Sequence, residues 1–317
     1  MRWLILGAGA LGGFFGARLL QGAADVTFLV RPRREQQLQR DGLVVRTQDG
    51  ETLRYNVRTT RQGALDGRYD VVLLACKAYD LASAMDAIAP AVGPGTAILP
   101  VLNGIRHIDL LKARFGAPQV LGGLTVINAA RMPDGAIQQS QVRINMNYLG
   151  ELDGRKTARC EAIADGLKGI DAKVVPDITP QMWNKFFGYT CNATITTLTR
   201  SRAGTVARSA SGAAFVSAVI EECARVCAAE GFPVATQMEG LVRGMYAQPD
   251  STYGPSILVD MEEGHPTEGE HTIGDLVERA GRRAMAVPIL TAARCNLQAY
   301  EIARAAAGSG REAVHAA

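Results

Sequence analysis

Short apolar runs alternate with amphipathic stretches through the first half of the chain. Residues 4–6, 25–30 (DVTFLV), 69–75 (YDVVLLA) and 96–102 (TAILPVL) read as buried strands, and helical patterns over 81–88 and 108–115 fall between them. This βα alternation predicts a parallel, doubly wound sheet. Two segments follow a different rhythm. Residues 43–59 place Asp49-Gly50 between two alternating runs, a hairpin signal. Residues 131–149 turn at Pro133-Asp134-Gly135 and then alternate through AIQQSQVRINMNYL. Both are expected as antiparallel additions at an edge of this domain. A helix over 155–170 and a short strand over 173–175 close this half.

Beyond Pro176 the strand signals almost vanish. Residues 180–199, 205–231, 235–247, 271–281 and 288–307 carry helical patterns, the first opened by Thr179 as N-cap with Pro180 at the first helical position. The expected organisation is an α/β domain over 1–175, mainly parallel with antiparallel additions. An all-helical domain over 176–317 follows, with a frayed tail from about residue 308. There is no internal repeat and no low-complexity block.

The junction between the first strand and the first helix reads Gly7-Ala8-Gly9-Ala10-Leu11-Gly12. In a Rossmann domain these glycines have distinct tasks. Gly7 makes the tight turn, Gly9 lets the backbone approach a pyrophosphate, and Gly12 lets the helix pack against the sheet. The helix N-terminus then faces the diphosphate. The residue after the second strand selects the dinucleotide. Asp25 stands at the start of that strand, on the wrong side of the sheet, and the strand ends in Arg31-Pro32-Arg33-Arg34. A guanidinium there suits the 2′-phosphate of NADP(H), with Arg31 the first choice and Arg34 the second.

Composition narrows the class. The 317 residues are 47% hydrophobic and 21% charged, with a net charge of +3, too little to argue for nucleic acid or an anionic membrane. No stretch approaches the ~20 apolar residues of a membrane span, and the N-terminal run breaks at Gly7, so a cytoplasmic protein is expected. The six cysteines are scattered without a CxxC pair, and the four histidines have no metal-ligand spacing, so no metal is expected. Cys223 and Cys227, one turn apart in an apolar helix, read as small buried residues.

A reductase of a 2-oxo acid must anchor a carboxylate and protonate the oxyanion that forms as hydride arrives. A lysine in an apolar setting can do the second, and Lys185 lies early in the helix TPQMWNKFFGY. Taken in order, GAGALG, Arg31, CKAYD (76–80), LNG (102–104), MWNK (182–185) and PSILVDMEEGHPTEGE (255–270) make the chain resemble the ketopantoate (2-dehydropantoate) 2-reductase family.

That resemblance implies a Rossmann domain, then a helical domain like that of 6-phosphogluconate dehydrogenase, with the active site in the cleft between them. It implies NADPH-dependent reduction of ketopantoate to pantoate, toward pantothenate. Lys185 is implied as the general acid and Glu268 as the glutamate that contacts the substrate hydroxyl and helps hold the lysine. It also implies Asn103 beside nicotinamide and substrate, Lys77 near the cofactor, and Ser256 on the substrate carboxylate. One feature departs from the family pattern. Where the family carries asparagines four and eight residues after the lysine, this chain has Tyr189 and Ala193, with Asn192 at the seventh position. On a helix these three lie at roughly 40°, 80° and −20° from the lysine, on one face. They make another branched or hydroxylated 2-oxo acid an alternative substrate, and a cofactor-binding regulatory protein without turnover stays open beside it. A homodimer paired through the helical domain is compatible with the pattern.

Overall fold

The computed structural model describes residues 1–127, 129–140 and 145–315, the side chains of 145, 168 and 308–315 excepted. Two compact units emerge: Met1–Leu102 with His107–Met182, and Asn103–Arg106 with Trp183–Ala317.

The first unit is built on alternating strands and helices: β1 (Arg2–Leu6), α1 (Ala10–Gln21), β2 (Asp25–Leu29), α2 (Pro32–Asp41), β3 (Leu43–Arg46), β4 (Thr52–Tyr55), β5 (Arg58–Thr60), β6 (Val71–Leu74), α3 (Leu81–Ile88), β7 (Ala97–Pro100) and α4 (Arg106–Phe115). Its main sheet has the order β5-β2-β1-β6-β7, with every pairing parallel. β1 and β6 are apolar on both faces because helices cover both. Trp3, Ile5 and Phe28 pack with Phe15 of α1 on one side, and Leu4, Val72 and Leu74 pack with Leu81 and Ile88 of α3 on the other. The fold class is the expected one: a doubly wound parallel sheet followed by a helical region.

The antiparallel segments form sheets of their own. β3 and β4 pair antiparallel across Asp49-Gly50, but they do not extend the main sheet. Together with β8 (Leu121–Ile127), β9 (Ala129–Arg131), β10 (Ile137–Gln139), β11 (Asn145–Glu151), α5 (Ala158–Gly166) and β12 (Ala172–Val174), they complete the unit. One separate sheet runs β4-β3-β10-β9 and another β12-β11-β8, the latter joined to β7 by the bridge Ile98–Val120. β9 and β10 flank the Pro133-Asp134-Gly135 turn as read, while residues 141–144 of the second excursion lie outside the described residues. The hairpin also ends early. Residues 58–60 leave it and pair parallel with β2 as the edge of the main sheet. There Arg58 forms an ion pair with Asp25 at the start of β2, the position that excluded Asp25 from ribose binding.

Helices dominate the rest of the chain: α6 (Ile178–Thr199), α7 (Ala203–Arg208), α8 (Gly212–Ala229), α9 (Thr236–Met245), α10 (Ser256–Glu262), α11 (Asp275–Arg282) and α12 (Pro288–His315). Three details differ from the pattern reading. The helix expected over 205–231 breaks at 209–211, where Ser209 Oγ donates to the Val206 carbonyl and competes with the helical ladder. Gly212 restarts it, in a spot where a Cβ would lie 2.0 Å from the Val206 carbonyl oxygen. α10 was hidden in an acidic, turn-rich stretch, yet it buries Ile257, Leu258 and Met261 on one face. The backbone of α12 stays helical through His315, beyond the expected end near 308, carried on by the alanine run 305–307. The second core joins Phe186, Phe187 and Ile195 of α6 to Val219 and Cys223 of α8 and to Leu290 and Leu297 of α12.

Candidate active site

In the first unit the glycine-rich turn has the geometry that a dinucleotide loop needs. Gly7 has φ +89°, and its N–H donates to the Leu29 carbonyl at 2.9 Å, tying the loop to β2. At Gly12 a Cβ would lie 2.0 Å from the Gly7 carbonyl oxygen, so only glycine lets α1 begin this close to the turn. At Gly9, the N-cap of α1, a Cβ would meet nothing within 4 Å, and no side chain caps the helix. The amides of Ala10, Leu11 and Gly12 therefore lack intrahelical acceptors. Open space beside bare helical N–H groups fits a pyrophosphate.

The arginines around this loop divide the work. Arg31 is the N-cap residue of α2, two residues beyond β2, and its side chain is 75% exposed, with its guanidinium 2.7 Å from Asp80. Arg34 is buried. Its Nε donates to the Ala8 carbonyl at 3.0 Å and one Nη to Gly135 at 2.9 Å, so it braces the glycine loop from behind. Burial and the nearby Arg131 pull its pKa down to about 10. Lys77 follows β6 in extended backbone, heading a 3-10 turn over Ala78–Asp80.

In the second unit three side chains far apart in sequence meet. Lys185 Nζ donates to Asn103 Oδ1 at 3.3 Å, and Asn103 Nδ2 donates to Glu268 Oε2 at 3.4 Å. The asparagine amide thus links the two charged groups through its two ends. Each member is fixed locally. Lys185 sits two residues after Trp183, whose ring stacks on Phe232 at 4.9 Å and takes the Arg279 guanidinium at 5.3 Å. Asn103-Gly104 packs against His271, and at Gly104 (φ +78°) a Cβ would lie 2.9 Å from the His271 carbonyl oxygen. Glu268, only 4% exposed, lies two residues before a π-helical turn over Glu270–Gly274, and its carbonyl accepts from Thr272 Oγ1 at 2.9 Å. Single π turns inside helices mark functional sites often enough to be a signal.

Burial sets the electrostatics here. It pulls Lys185 from an ordinary 10.5 down to about 8, against the opposing pull of the Glu268 carboxylate. Burial, aided by Arg106, pulls His271 down to about 4, so that ring is neutral near pH 7. Tyr189, one turn beyond the lysine, is pushed well up by burial and by Glu268, with the Ser256 hydroxyl pulling the other way. Ser256 itself is exposed at the first position of α10.

Asn192, seven residues beyond the lysine on α6, is buried. Its Nδ2 turns back to the Gly188 carbonyl at 2.8 Å, while Oδ1 is buried and has no hydrogen-bond partner among the described residues. The Tyr189 hydroxyl is likewise buried, with the Ser256 side chain beside it. Ala193 is fully buried in the helical core. Cys223 and Cys227 are buried free thiols whose pKa values burial pushes up. Sequence reading missed Arg34 as a brace, Asp80 as the partner of Arg31, and His271 behind Asn103. Each depends on contacts across long sequence separations.

Comparison with known proteins shows the family and the fold. Residues 3–154 match the model of the ketopantoate reductase PanE/ApbA family, and residues 177–301 match that of its C-terminal domain. The chain belongs to this family and is an oxidoreductase. It is 34% identical to the uncharacterized oxidoreductase YkpB of Bacillus subtilis (strain 168) over 303 residues, 95% of this chain and 99% of that one. Among solved structures, 2-dehydropantoate 2-reductase from Methylococcus capsulatus is 26% identical, with a TM-score of 0.83 over 96% of this chain and 98% of that one. D-mandelate dehydrogenase in complex with NADH and anilino(oxo)acetate shares the fold at 20% identity, with a TM-score of 0.85 over 96% of this chain and 99% of that one. Among the described residues no helix is long and apolar enough to cross a membrane.

Proposed function

We propose that this protein is an NADPH-dependent 2-oxo acid reductase whose reaction is the conversion of 2-dehydropantoate to pantoate, a step toward pantothenate. The observation that carries the reading is the Lys185–Asn103–Glu268 chain, with a lysine lowered to about 8 by burial. Residues 7–12 would hold the pyrophosphate and Arg31 the 2′-phosphate, with Lys77 and Asn103 near the nicotinamide end. When bound, NADPH supplies the hydride that reduces C2 of the substrate.

The side chains of the second unit do the rest. Negative charge grows on the substrate's C2 oxygen, and the Lys185 ammonium donates its proton there, since a donor with a pKa near the working pH transfers most readily. The carboxylate of Glu268 favours the charged lysine before transfer, and the Asn103 amide keeps both groups in line. Ser256 would bind the substrate carboxylate, and Tyr189 and Asn192 its remaining polar groups. The balance is 2-oxo acid plus NADPH plus a proton, giving 2-hydroxy acid and NADP+. Lys185 recovers its proton from solvent. We extend the proposal to a cytoplasmic homodimer formed through the helical unit, checked by light scattering in solution.

The test is a turnover assay of the purified chain with a panel of 2-oxo acids and either NADPH or NADH. NADPH oxidation with 2-dehydropantoate is the expected result. Tight NADPH binding with no turnover across the panel would replace this reading with a cofactor-binding regulatory protein.

A further inference from the structure

Within the second unit a groove of about 510 Å³ lies along α9, in the size range of small-molecule pockets, roughly 300–1,000 Å³. Its floor is Gly240 and Gly244, one turn apart, where a Cβ would meet nothing within 4 Å in either case. Leu241, Met245 and Tyr253 supply apolar walls and Gln248 an amide, and no lining side chain is charged.

The inner wall of this groove adjoins the residues that depart from the family pattern. Met245 Sδ is 3.7 Å from Asn192 Nδ2. Tyr253 and Ser256 both act on the Tyr189 hydroxyl, which also feels the Glu268 carboxylate. Asn192 is 4% exposed and keeps its Oδ1 without a hydrogen bond among the described residues, as does the buried hydroxyl of Tyr246. Unpartnered buried polar atoms are costly unless something meets them.

We propose that this groove is a side-chain subsite of the 2-oxo acid site, which receives the uncharged substituent of 2-dehydropantoate and has room for a longer one. The acid's polar groups would then be met by Tyr189 and Asn192 at the inner wall, and its apolar end would lie over Gly240 and Gly244. The inference rests on the reductase reading for where the reacting end sits. The lining offers no cation to hold a second carboxylate or a phosphate on the substituent.

Calorimetry on the full chain with NADP+ tests it, using pyruvate, 2-dehydropantoate and 2-oxooctanoate as probes. The expected ranking has 2-oxooctanoate at least tenfold tighter than pyruvate. Gly244→Leu fills the groove at a position with free space, so the fold tolerates it. It should abolish that advantage and leave pyruvate affinity within about twofold. Equal affinities across chain length, or an advantage that survives Gly244→Leu, would overturn the subsite. So would a Gly244→Leu variant that only changes oligomeric state, since α9 would then be a contact between copies of the chain. Absence of turnover with every acid would defeat the reductase reading separately, while the affinity ranking still decides the groove.

Discussion

Arg31 and Asp80 face each other at 2.7 Å, and the proposed preference for NADPH is tested at that pair. The arginine is exposed and its partner is a carboxylate, so a 2′-phosphate dianion would compete with Asp80 for the same guanidinium. A dianion attracts the guanidinium more strongly than the single charge of Asp80 does. Arg31→Ala should therefore raise the KM for NADPH by about 10- to 100-fold and leave that for NADH nearly unchanged, the loss of about 1.5–3 kcal/mol expected for a bond to a charged group. Asp80→Asn should lower the KM for NADPH by freeing Arg31. His271 gives a second test at this scale. Its folded pKa of about 4 lies below the ordinary 6.5, so the unfolded chain binds more protons in between. Stability should be full above pH 6.5 and decline as pH falls toward 4, and His271→Gln should flatten that limb in pH-dependent denaturation. Residue identities were legible where a motif names them, as at Gly7, Gly12 and Lys185. Asn103 was expected near the nicotinamide, but its link between Lys185 and Glu268 was not visible, because 82 and 165 residues separate it from those partners.

Elements carry the next level of the argument. α1 can start where it does only because Gly12 has no side chain. Gly12→Ala should cost about 1–3 kcal/mol from overpacking and weaken NADPH binding, both read by thermal melting with and without cofactor. α12 is anchored differently. Buried Glu222 of α8 accepts from the Ile289 and Leu290 amides at 3.1 Å, a carboxylate at a helix N-terminus. Glu222→Gln should lose about 1–2 kcal/mol of stability, measured by denaturant unfolding, with kcat unchanged. Parallel strands and long helices were readable from periodicity because burial on both faces, or on one helical stripe, leaves a regular apolar trace. The destination of the hairpin strands was not. Pairing of β3 with β10 joins segments about 90 residues apart, and nothing in either run names the other. α10 escaped for a related reason: seven residues are too few to show a period.

For the molecule as a whole, two units divide the chemistry that family membership implies. The first supplies a glycine loop that fits a dinucleotide, and the second gathers a lysine, an asparagine and a glutamate into one hydrogen-bonded chain. Neither feature alone makes a reductase. Their order along the chain was legible from the motifs, whereas the lowered lysine pKa came only with the packing of α6. The direct test of the account is the pH dependence of kcat for NADPH-driven reduction of a 2-oxo acid, compared between the natural chain and Lys185→Ala. A general acid with a pKa of about 8 must be protonated, so kcat should hold at neutral pH and fall as pH rises through about 8. Lys185→Ala should lose about 10²- to 10⁴-fold and show no such limb. An unchanged kcat in Lys185→Ala, with the same pH profile as the natural chain, would contradict the central claim.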